Sequence, residues 1–422
     1  MSAFAKAPAS RSRTLKAVLG GIAVLSASAL VLSGCASTPE EDTTGPREDL
    51  TLKIGTALPV TGNLAFLGPP EIAGVGLAAE EINAADVGIT VEVTYGDSGD
   101  ADNKAYATEV PRLLADGVSA IIGAASSGTS KLFIDDVTGA GVIQFSPANT
   151  SADFTTWDDD GLYWRTAPSD VLQGEVLGNL IAEDGNATLG IIYLNDSYGT
   201  GLKEFTSKAF TAAGGEVVAE ASYNTGDTSF DAQISQVTAA NPDAIALIAF
   251  EETKTIVPGL SSFPADKLYF VDGNLADYSE DFEPGTLTGS KGTLPGLDTS
   301  TLGDFTDRLN TYWTGTGEED LKDYSYAAES YDAVILLALA ALEANSVDGK
   351  DIAAKLQEVS GGSGDGEKVS DFAEGAAIII DGGTVDYDGN SGPITFDDNG
   401  DPTEATIGIF QYLEDNTYER IN

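Results

Sequence analysis

The residues best suited to chemistry are polar side chains that follow apolar runs of the sequence. In the first half of the chain, Ser126, Ser127 and Thr150 come after such runs, in loops that carry no charged side chain. Hydroxyls and backbone N–H groups at a helix N-terminus suit a carboxylate. Asp196 and Asp272 follow later runs together with aromatic rings, which suits an ammonium group beside an apolar side chain. Together the two sets describe a zwitterion with an apolar tail.

Apolar runs that predict strands alternate with segments of helical periodicity in two successive series. In the first series the strands are 52–58, 89–95, 118–123 and 142–146, and the helices are 70–84, 102–116 (capped by Asp102) and 130–139. In the second series the strands are 187–194, 216–223, 243–250 and 267–272, and the helices are 199–213, 229–240 and 252–262. This alternation predicts an α/β protein with parallel sheets in two similar lobes. Ligands of such sheets bind beyond the carboxyl ends of the strands, where the polar residues lie.

The last quarter of the chain has a different pattern. Residues 324–345 predict a long helix rich in Ala and Leu, and 350–359 predict a second helix. Residues 361–392 are rich in Gly and Asp and are predicted to be loop-like. The apolar run 406–413 predicts a strand that pairs in a hairpin with 418–421.

Composition excludes several classes of function. The chain has 422 residues, a net charge of −46, no histidine and one cysteine. The length fits two domains. An acidic surface repels phosphate backbones, so no nucleic acid is expected as a partner. Without histidine the commonest general base and metal ligand is missing, and a single cysteine excludes an intrachain disulfide.

Catalytic and metal-binding motifs are also missing from the sequence. No nucleophile elbow, P-loop or dinucleotide fingerprint occurs, although counting alone does not exclude a carboxylate pair that hydrolyses glycosides. The acidic stretch 386–397 resembles a calcium loop, but Ser391 stands where glycine is required and Asp397 where glutamate is required. The acidic stretch 157–161 is interpreted as a solvated turn. We therefore expect no enzyme activity, no metal and no cofactor.

The amino terminus has the pattern of an export signal. A basic segment precedes an apolar run that ends in Leu32-Ser33-Gly34-Cys35, which resembles a bacterial lipobox. The resemblance implies that residues 1–34 are a lipoprotein signal peptide and that Cys35 is lipidated. Residues 35–50 would then form a polar tether. The alternative is an ordinary signal peptide with an incidental cysteine.

Five segments resemble a known family when they are read in order. They are Pro59–Gly62, Ile121–Gly123 with Ser126–Ser127, Ser146–Thr150, Asp196–Gly199 and Tyr326–Ala333. This set resembles the leucine/isoleucine/valine-binding proteins of ABC importers, from about residue 52 to the end. The resemblance implies two doubly wound α/β lobes joined by three crossover segments, as in the type I periplasmic-binding-protein fold. Lobe one would comprise 51–167 plus 297–394, and lobe two 168–296 plus 395–422, with crossovers near 165–170, 295–298 and 393–397.

The resemblance also implies roles for individual residues of lobe one. Ser127 (or Ser126) and Thr150 match hydroxyls that hold the ligand carboxylate. Ala148 matches a residue whose backbone contacts the same head group. Leu67 falls where well-known members carry a tyrosine over the ligand side chain, and Ser126 occupies a position that is a disulfide cysteine in some members. Apart from the family, the serines could simply cap the helix that follows, and Thr150 could be a loop hydroxyl.

Three residues of lobe two complete the expected site. Tyr198 matches a tyrosine near the ligand amino group, and Asp272 falls where the family has a carboxylate that pairs with the ammonium. Phe250 falls at an aromatic wall. Each has a plainer interpretation: Tyr198 and Phe250 as packing residues, and Asp272 as a turn residue in Asp-Gly.

The function implied by the resemblance is solute capture outside the cell membrane. The protein would be a monomeric lipoprotein that binds an amino acid, branched-chain or otherwise apolar, and delivers it to the permease and ATPase subunits of an ABC importer. One alternative is a surface sensor that presents its closed form to a signalling receptor. Another is a binding protein for an amide, urea-type or aromatic ligand, and a third is a cell-surface enzyme.

Overall fold

The computed structural model describes residues 49–298 and 301–422. The predicted signal peptide, Cys35 and nearly all of the tether lie outside these residues, so their predictions remain untested. Among the helices of the described ranges, none combines the length and apolar character needed to cross a bilayer.

The first series folds largely as predicted. Its elements are β1 (Leu50–Ala57), α1 (Gly68–Ala85), β2 (Ile89–Thr94), α2 (Tyr106–Ala115), β3 (Ala120–Gly123), α3 (Ser127–Ser130), α4 (Ile134–Gly139), β4 (Ile143–Ser146) and β5 (Tyr163–Arg165). They form a five-stranded sheet of order β2-β1-β3-β4-β5 in which every neighbouring pair is parallel. Strands β3 and β4 are both completely buried; β3 is a continuous apolar run, as expected for a strand buried on both faces, whereas β4 also buries Gln144 and Ser146.

The second series follows directly. Its elements are α5 (Asp170–Glu183), β6 (Thr188–Leu194), α6 (Ser197–Ala212), β7 (Glu216–Tyr223), α7 (Asp231–Ala239), β8 (Ala244–Ile248), α8 (Thr253–Gly259), β9 (Leu268–Phe270) and β10 (Lys291–Pro295). The remaining elements are α9 (Gly303–Gly315), α10 (Ala327–Ala344), α11 (Gly349–Val359), β11 (Glu367–Val369), α12 (Phe372–Ile380), β12 (Val385–Gly389), β13 (Gly392–Pro393), β14 (Ile407–Tyr412) and β15 (Tyr418–Arg420).

The second sheet has seven strands in the order β15-β14-β10-β9-β8-β6-β7. Its strands are parallel from β10 to β7, and the predicted C-terminal hairpin β14–β15 is confirmed as an antiparallel edge. The chain passes between the two sheet regions after β5, after β10 and after β13. These passages lie near the three predicted crossovers, and the lobe boundaries themselves stay a prediction.

Helix α10 packs against α1 beside the first sheet. It is buried along nearly its whole length, which explains its Ala- and Leu-rich composition, since a helix that is apolar all round is a buried one. A second large core surrounds the seven-stranded sheet. Leu64, Leu67 and Tyr326 come from segments next to the first sheet's helices but pack in this second core, so the two halves are closed on one another.

Three local predictions were wrong. Residues 361–392 are not loop-like, because Phe372, Ala376 and Ile379 recur at helical spacing and give α12 a buried face. Asp102 does not cap α2, which begins at Tyr106; the backbone N–H of Asp102 instead donates to Asp100 in a preceding turn. The single helix predicted over 130–139 is two short helices, α3 and α4.

Candidate ligand-binding cleft

All eight residues predicted for the site line one cavity between the two sheets. The complete lining is Leu64, Leu67, Ala125, Ser126, Ser127, Ala148, Thr150, Tyr198, Phe250, Asp272, Gly273 and Tyr326. They come from loops beyond the carboxyl ends of strands and from the start of α10, as the switch-point rule for parallel sheets requires. The space left between them is about 10 Å³, roughly enough for one water molecule. An amino acid therefore enters only when the two sides separate.

The hydroxyl side of the cavity is held by the loops after β3 and β4. Ser126 caps α3 by accepting a hydrogen bond from Thr129 N at 3.2 Å, which confirms the capping role. Ser127 Oγ accepts from Ser151 N at 3.2 Å, and its O–H proton is left to be donated elsewhere. Ser127 and Thr150 are almost completely buried, so hydrogen bonds that they make to a ligand face little competition from water.

A buried ion pair fixes the loop that carries Thr150. The guanidinium of Arg165 donates to both oxygens of Asp401, with Nε–Oδ1 at 2.7 Å and Nη2–Oδ2 at 2.8 Å. Its Nη1 donates to the carbonyls of Asn149 and Ser151. These carbonyls flank Thr150 on either side. Arg165 is fully buried, and the bidentate geometry makes this pair a rigid support for the loop.

The opposite side of the cavity is negative. Asp272, in the turn after β9, accepts hydrogen bonds from Tyr198 Oη at 2.6 Å, Tyr326 Oη at 2.8 Å and Gln173 Nε2 at 3.0 Å. Burial raises the pKa of Asp272 even though these three donors lower it. Burial, and after it the charge of Asp272, also raises the pKa of Asp170, well above its ordinary value.

No lysine or arginine belongs to the described lining of this cavity. Asp272 is therefore a buried carboxylate whose direct donors are all neutral. A charge buried without a counter-charge is costly, and a ligand ammonium would supply the missing cation.

Apolar walls flank the charged groups. The rings of Tyr198 and Phe250 stack with centroids 5.3 Å apart. Leu64 and Leu67 belong to the same buried core and lie on the other side of the cleft. The part of a ligand next to its head group therefore meets aromatic and aliphatic carbon.

Tyr326 is the important residue that sequence reasoning missed. It appeared only as the first residue of the segment Tyr326–Ala333 and received no ligand role. It precedes α10 in the left-handed conformation, with φ +59°, which is uncommon for a residue other than glycine, and its phenol donates to Asp272. Leu64, Ala125 and Gly273 were also missed, because small or apolar loop residues carry no chemical signal in a sequence.

Further contacts cross the cleft near its edge. Asn63 Nδ2 donates to Glu252 Oε1 at 2.5 Å, and Ser151 Oγ donates to Ser197 O at 3.2 Å. Gly128 lies so close to Asp196 that an added Cβ would be 2.4 Å from Oδ2. A larger residue at this position would therefore force the side chain of Asp196 to move.

The calcium interpretation that the sequence disfavoured gains no support from the geometry. Asp386 and Asp388 both pair with Lys368. Across the described ranges, no group of three or more acidic or Cys side chains is arranged to hold a metal ion.

Comparison with known proteins now decides the family. A family model described as periplasmic binding protein matches residues 51–381. The chain belongs to the periplasmic binding protein family. Membership implies an extracytoplasmic location, and it confirms the resemblance predicted from the ordered segments.

Two curated relatives of this periplasmic binding protein carry functional names. The leucine-, isoleucine-, valine-, threonine- and alanine-binding protein of Pseudomonas aeruginosa is 32% identical over 191 residues, which cover 44% of this chain and 50% of that protein. The chemotactic signal transduction system substrate-binding protein BasB of Halobacterium salinarum is 26% identical over 382 residues, which cover 85% of each chain.

Solved structures confirm the predicted fold. The leucine-binding protein LivK of Thermotoga maritima superposes with a TM-score of 0.70 at 22% identity, covering 88% of this chain and 98% of that one. The branched-chain amino acid binding protein LivJ of Streptococcus pneumoniae, solved with isoleucine, gives a TM-score of 0.69 at 23% identity, covering 88% and 99%. This periplasmic binding protein thus has the type I fold.

Proposed function

We propose that this periplasmic binding protein captures an α-amino acid between its two lobes and delivers it to the permease of an ABC importer. The observation that carries the proposal is the pairing of two opposite chemistries in one cavity. Asp272, buried and without a cationic partner, lines the same cavity as the hydroxyls of Ser127 and Thr150. A zwitterionic head group satisfies both sides at once.

Binding proceeds by closure of the lobes. The carboxylate of the ligand first accepts hydrogen bonds from Ser127, Thr150 and the backbone around Ala148. Closure then brings Asp272 and Tyr198 to the ammonium group, with Phe250 against the side chain. The ligand stabilises the closed form only to the extent that it binds that form more tightly.

The apolar walls support a side chain that is apolar next to the head group, branched-chain or otherwise. Leu67 contributes to these walls from the other side of the cleft. Relatives with functional names bind such amino acids: the Pseudomonas protein is named for leucine, isoleucine, valine, threonine and alanine.

We further propose that the protein works as a membrane-anchored monomer. Residues 1–34 act as a lipoprotein signal peptide, Cys35 carries the lipid, and residues 35–50 tether lobe one (51–167 plus 297–394) and lobe two (168–296 plus 395–422). Two or more acyl chains suffice for stable anchoring. The anchor holds the closed protein close to a permease, which acts with two ATPase subunits.

A thermal-shift screen tests the ligand class. The chain from residue 36 onward, which contains every described element, is heated with single amino acids, acetamide, urea and benzoate. A ligand that binds only the native state raises the melting temperature, and we expect this from α-amino acids alone. Stabilisation by urea or an amide, with no response to any α-amino acid, would show that the zwitterion proposal is wrong.

A sensing role is the second candidate, because the Halobacterium relative is named for chemotactic signal transduction. Deleting the gene separates the two functions. Loss of uptake of the labelled ligand supports transport, whereas normal uptake with loss of the behavioural response to that ligand supports sensing.

A further inference from the structure

A second chamber adjoins the ligand cavity. It has a volume of about 270 Å³ and shares the walls Leu64, Ser126 and Phe250 with the ligand cavity. The ligand cavity itself has almost no spare space, so the chamber is the adjoining volume into which a ligand side chain can extend.

The chamber changes in character away from the ligand cavity. Where the two meet, Leu64 and Phe250 present buried carbon. The remaining walls bring together three amides and two carboxylates: Asn63, Asn195, Asn224, Asp100 and Asp196. No lysine or arginine is among the described residues that line it. An occupant therefore needs an apolar stem followed by a group that donates hydrogen bonds.

The two carboxylates are not equivalent. Both oxygens of Asp100 already accept hydrogen bonds from backbone N–H groups, those of Asn63, Asp102 and Asn103. In Asp196, Oδ1 caps α6 by accepting from Gly199 N at 2.8 Å. The backbone N–H of Tyr198 also stabilises this carboxylate, and its Oδ2 lies beside Gly128 at the wall of the chamber.

No salt bridge to Asp196 is formed by Lys131, the lysine whose charge affects it. The net effect of its surroundings raises the pKa of Asp196 to about 6: burial is the largest cause, Glu252 also raises the pKa, and the backbone N–H groups of Gly199 and Tyr198 and the charge of Lys131 lower it. Lys131, however, is paired with Asp153 at 2.6 Å and lies over the ring of Trp157. Asp196 therefore resembles Asp272, because neither carboxylate has a salt-bridge partner among the described residues. Asp196 lies at the outer end of the same cleft.

The head group sets the direction of the side chain. A ligand that places its carboxylate at Ser127 and Thr150 and its ammonium at Asp272 can extend its side chain past the walls that the two spaces share, Leu64, Ser126 and Phe250.

We propose that the chamber holds the side chain of the ligand, and that the ligand class is α-amino acids with a straight apolar stem and a cationic end, such as lysine, ornithine or arginine. The proposal rests on the proposed function and narrows it. A branched-chain side chain would fill only the space between Leu64 and Phe250 and leave Asp196 without a partner.

Calorimetric titration tests the proposal with lysine, arginine, norleucine, leucine, glutamine and glutamate on the chain from residue 36 onward. Norleucine is the matched ligand, because it keeps the straight stem of lysine and lacks the charge. We expect lysine or arginine to bind at least tenfold more tightly than norleucine or leucine, and glutamate to bind most weakly. The Asp196→Asn variant keeps a good helix cap, and we expect it to bring lysine and norleucine to within about twofold of each other. Asp231→Asn, at an exposed carboxylate outside the chamber, should leave the preference unchanged.

The possible results distinguish a failure of the cationic-ligand proposal from a failure of the proposed function. If leucine or norleucine binds as tightly as lysine and arginine, the chamber does not select a cation, while amino-acid binding stands. Glutamine binding as tightly as lysine also overturns the cationic class. A lysine preference that survives Asp196→Asn removes Asp196 from the site. Binding of no α-amino acid at all overturns the proposed function itself.

Discussion

Tyr326 Oη donates a hydrogen bond to Asp272 Oδ2 at 2.8 Å across the cleft. Tyr326 precedes α10, which packs beside the first sheet, whereas Asp272 follows β9 of the second sheet. One bond therefore joins the two halves at the carboxylate that we assign to the ligand ammonium. The same bond stabilises closure in the absence of ligand.

Tyr326→Phe should open the ligand-free protein. A hydrogen bond to a charged group contributes about 1.5–3 kcal/mol, so its loss lowers the closed-to-open ratio by roughly tenfold or more. Small-angle scattering should give the ligand-free variant a larger radius of gyration than the wild type. Tyr324→Phe, in the same segment, serves as the control, and equal radii for Tyr326→Phe and wild type would contradict the prediction.

Asp272→Asn should weaken ligand binding without lowering the stability of the ligand-free protein. Removing one partner of a buried charged pair costs about 2–5 kcal/mol of binding, which corresponds to roughly 30-fold or more in Kd. Burial raises the pKa of Asp272, so at a pH above the pKa of the unfolded chain the charge of Asp272 lowers the stability of the ligand-free fold. Asn carries no charge, and the ligand-free variant should therefore melt no lower than wild type at pH 7. Calorimetry and a melting curve measure the two effects. Asp266→Asn, an exposed change nearby, should alter neither, and a large fall in the melting temperature of Asp272→Asn would refute this account.

Asp401→Asn should destabilise the fold. It leaves the fully buried Arg165 without its counter-charge, and breaking a buried ion pair costs about 3–5 kcal/mol. Urea denaturation measures the free energy of unfolding. Lys368→Gln breaks an exposed pair and should cost at most about 1 kcal/mol; similar losses in the two variants would argue against a special role for the buried pair.

Glu329→Gln should stabilise the protein at high pH. Burial raises the pKa of Glu329 to about 8, and it raises the pKa of Glu71, on the neighbouring helix α1, well above normal. Between pH 4.5 and 8 the native state keeps a proton that the unfolded chain has released, so stability falls as pH rises through this window. The advantage of Glu329→Gln should therefore grow by up to about 1.4 kcal/mol per pH unit. Melting curves at pH 5 and pH 8 test this, with Glu80→Gln on the exposed face of α1 as the control, and an advantage equal at both pH values would count against it.

Cys35→Ser should release the protein from the membrane. The variant lacks the thiol that accepts the lipid, so the folded domain should move from the membrane fraction to the soluble fraction with its ligand affinity unchanged. Immunoblots of fractionated cells measure the distribution. A wild-type protein that is already in the soluble fraction, with no change in Cys35→Ser, would favour the incidental-cysteine alternative.

The structure places the predicted site residues around one cavity, and the local pattern that located several of them is their position after a strand; their contact with a ligand stays a prediction. Ser127, Thr150 and Asp272 follow β3, β4 and β9, and parallel strands bring their carboxyl ends to one edge. The same local reasoning gave a wrong prediction for residues 361–392. Their Gly and Asp content is typical of loops, but Phe372, Ala376 and Ile379 have helical spacing and form the buried face of α12.

By itself the sequence determined the α/β alternation, the polar loops beyond the strands and the absence of histidine chemistry. All of these depend on residue type and on periodicity over a few turns or strands. Only the tertiary structure decided that Tyr326 meets Asp272, 54 positions away, and that Gly128 faces Asp196. Such contacts depend on how two separately formed sheets dock, and that is set by the packing of distant surfaces, which no local pattern encodes.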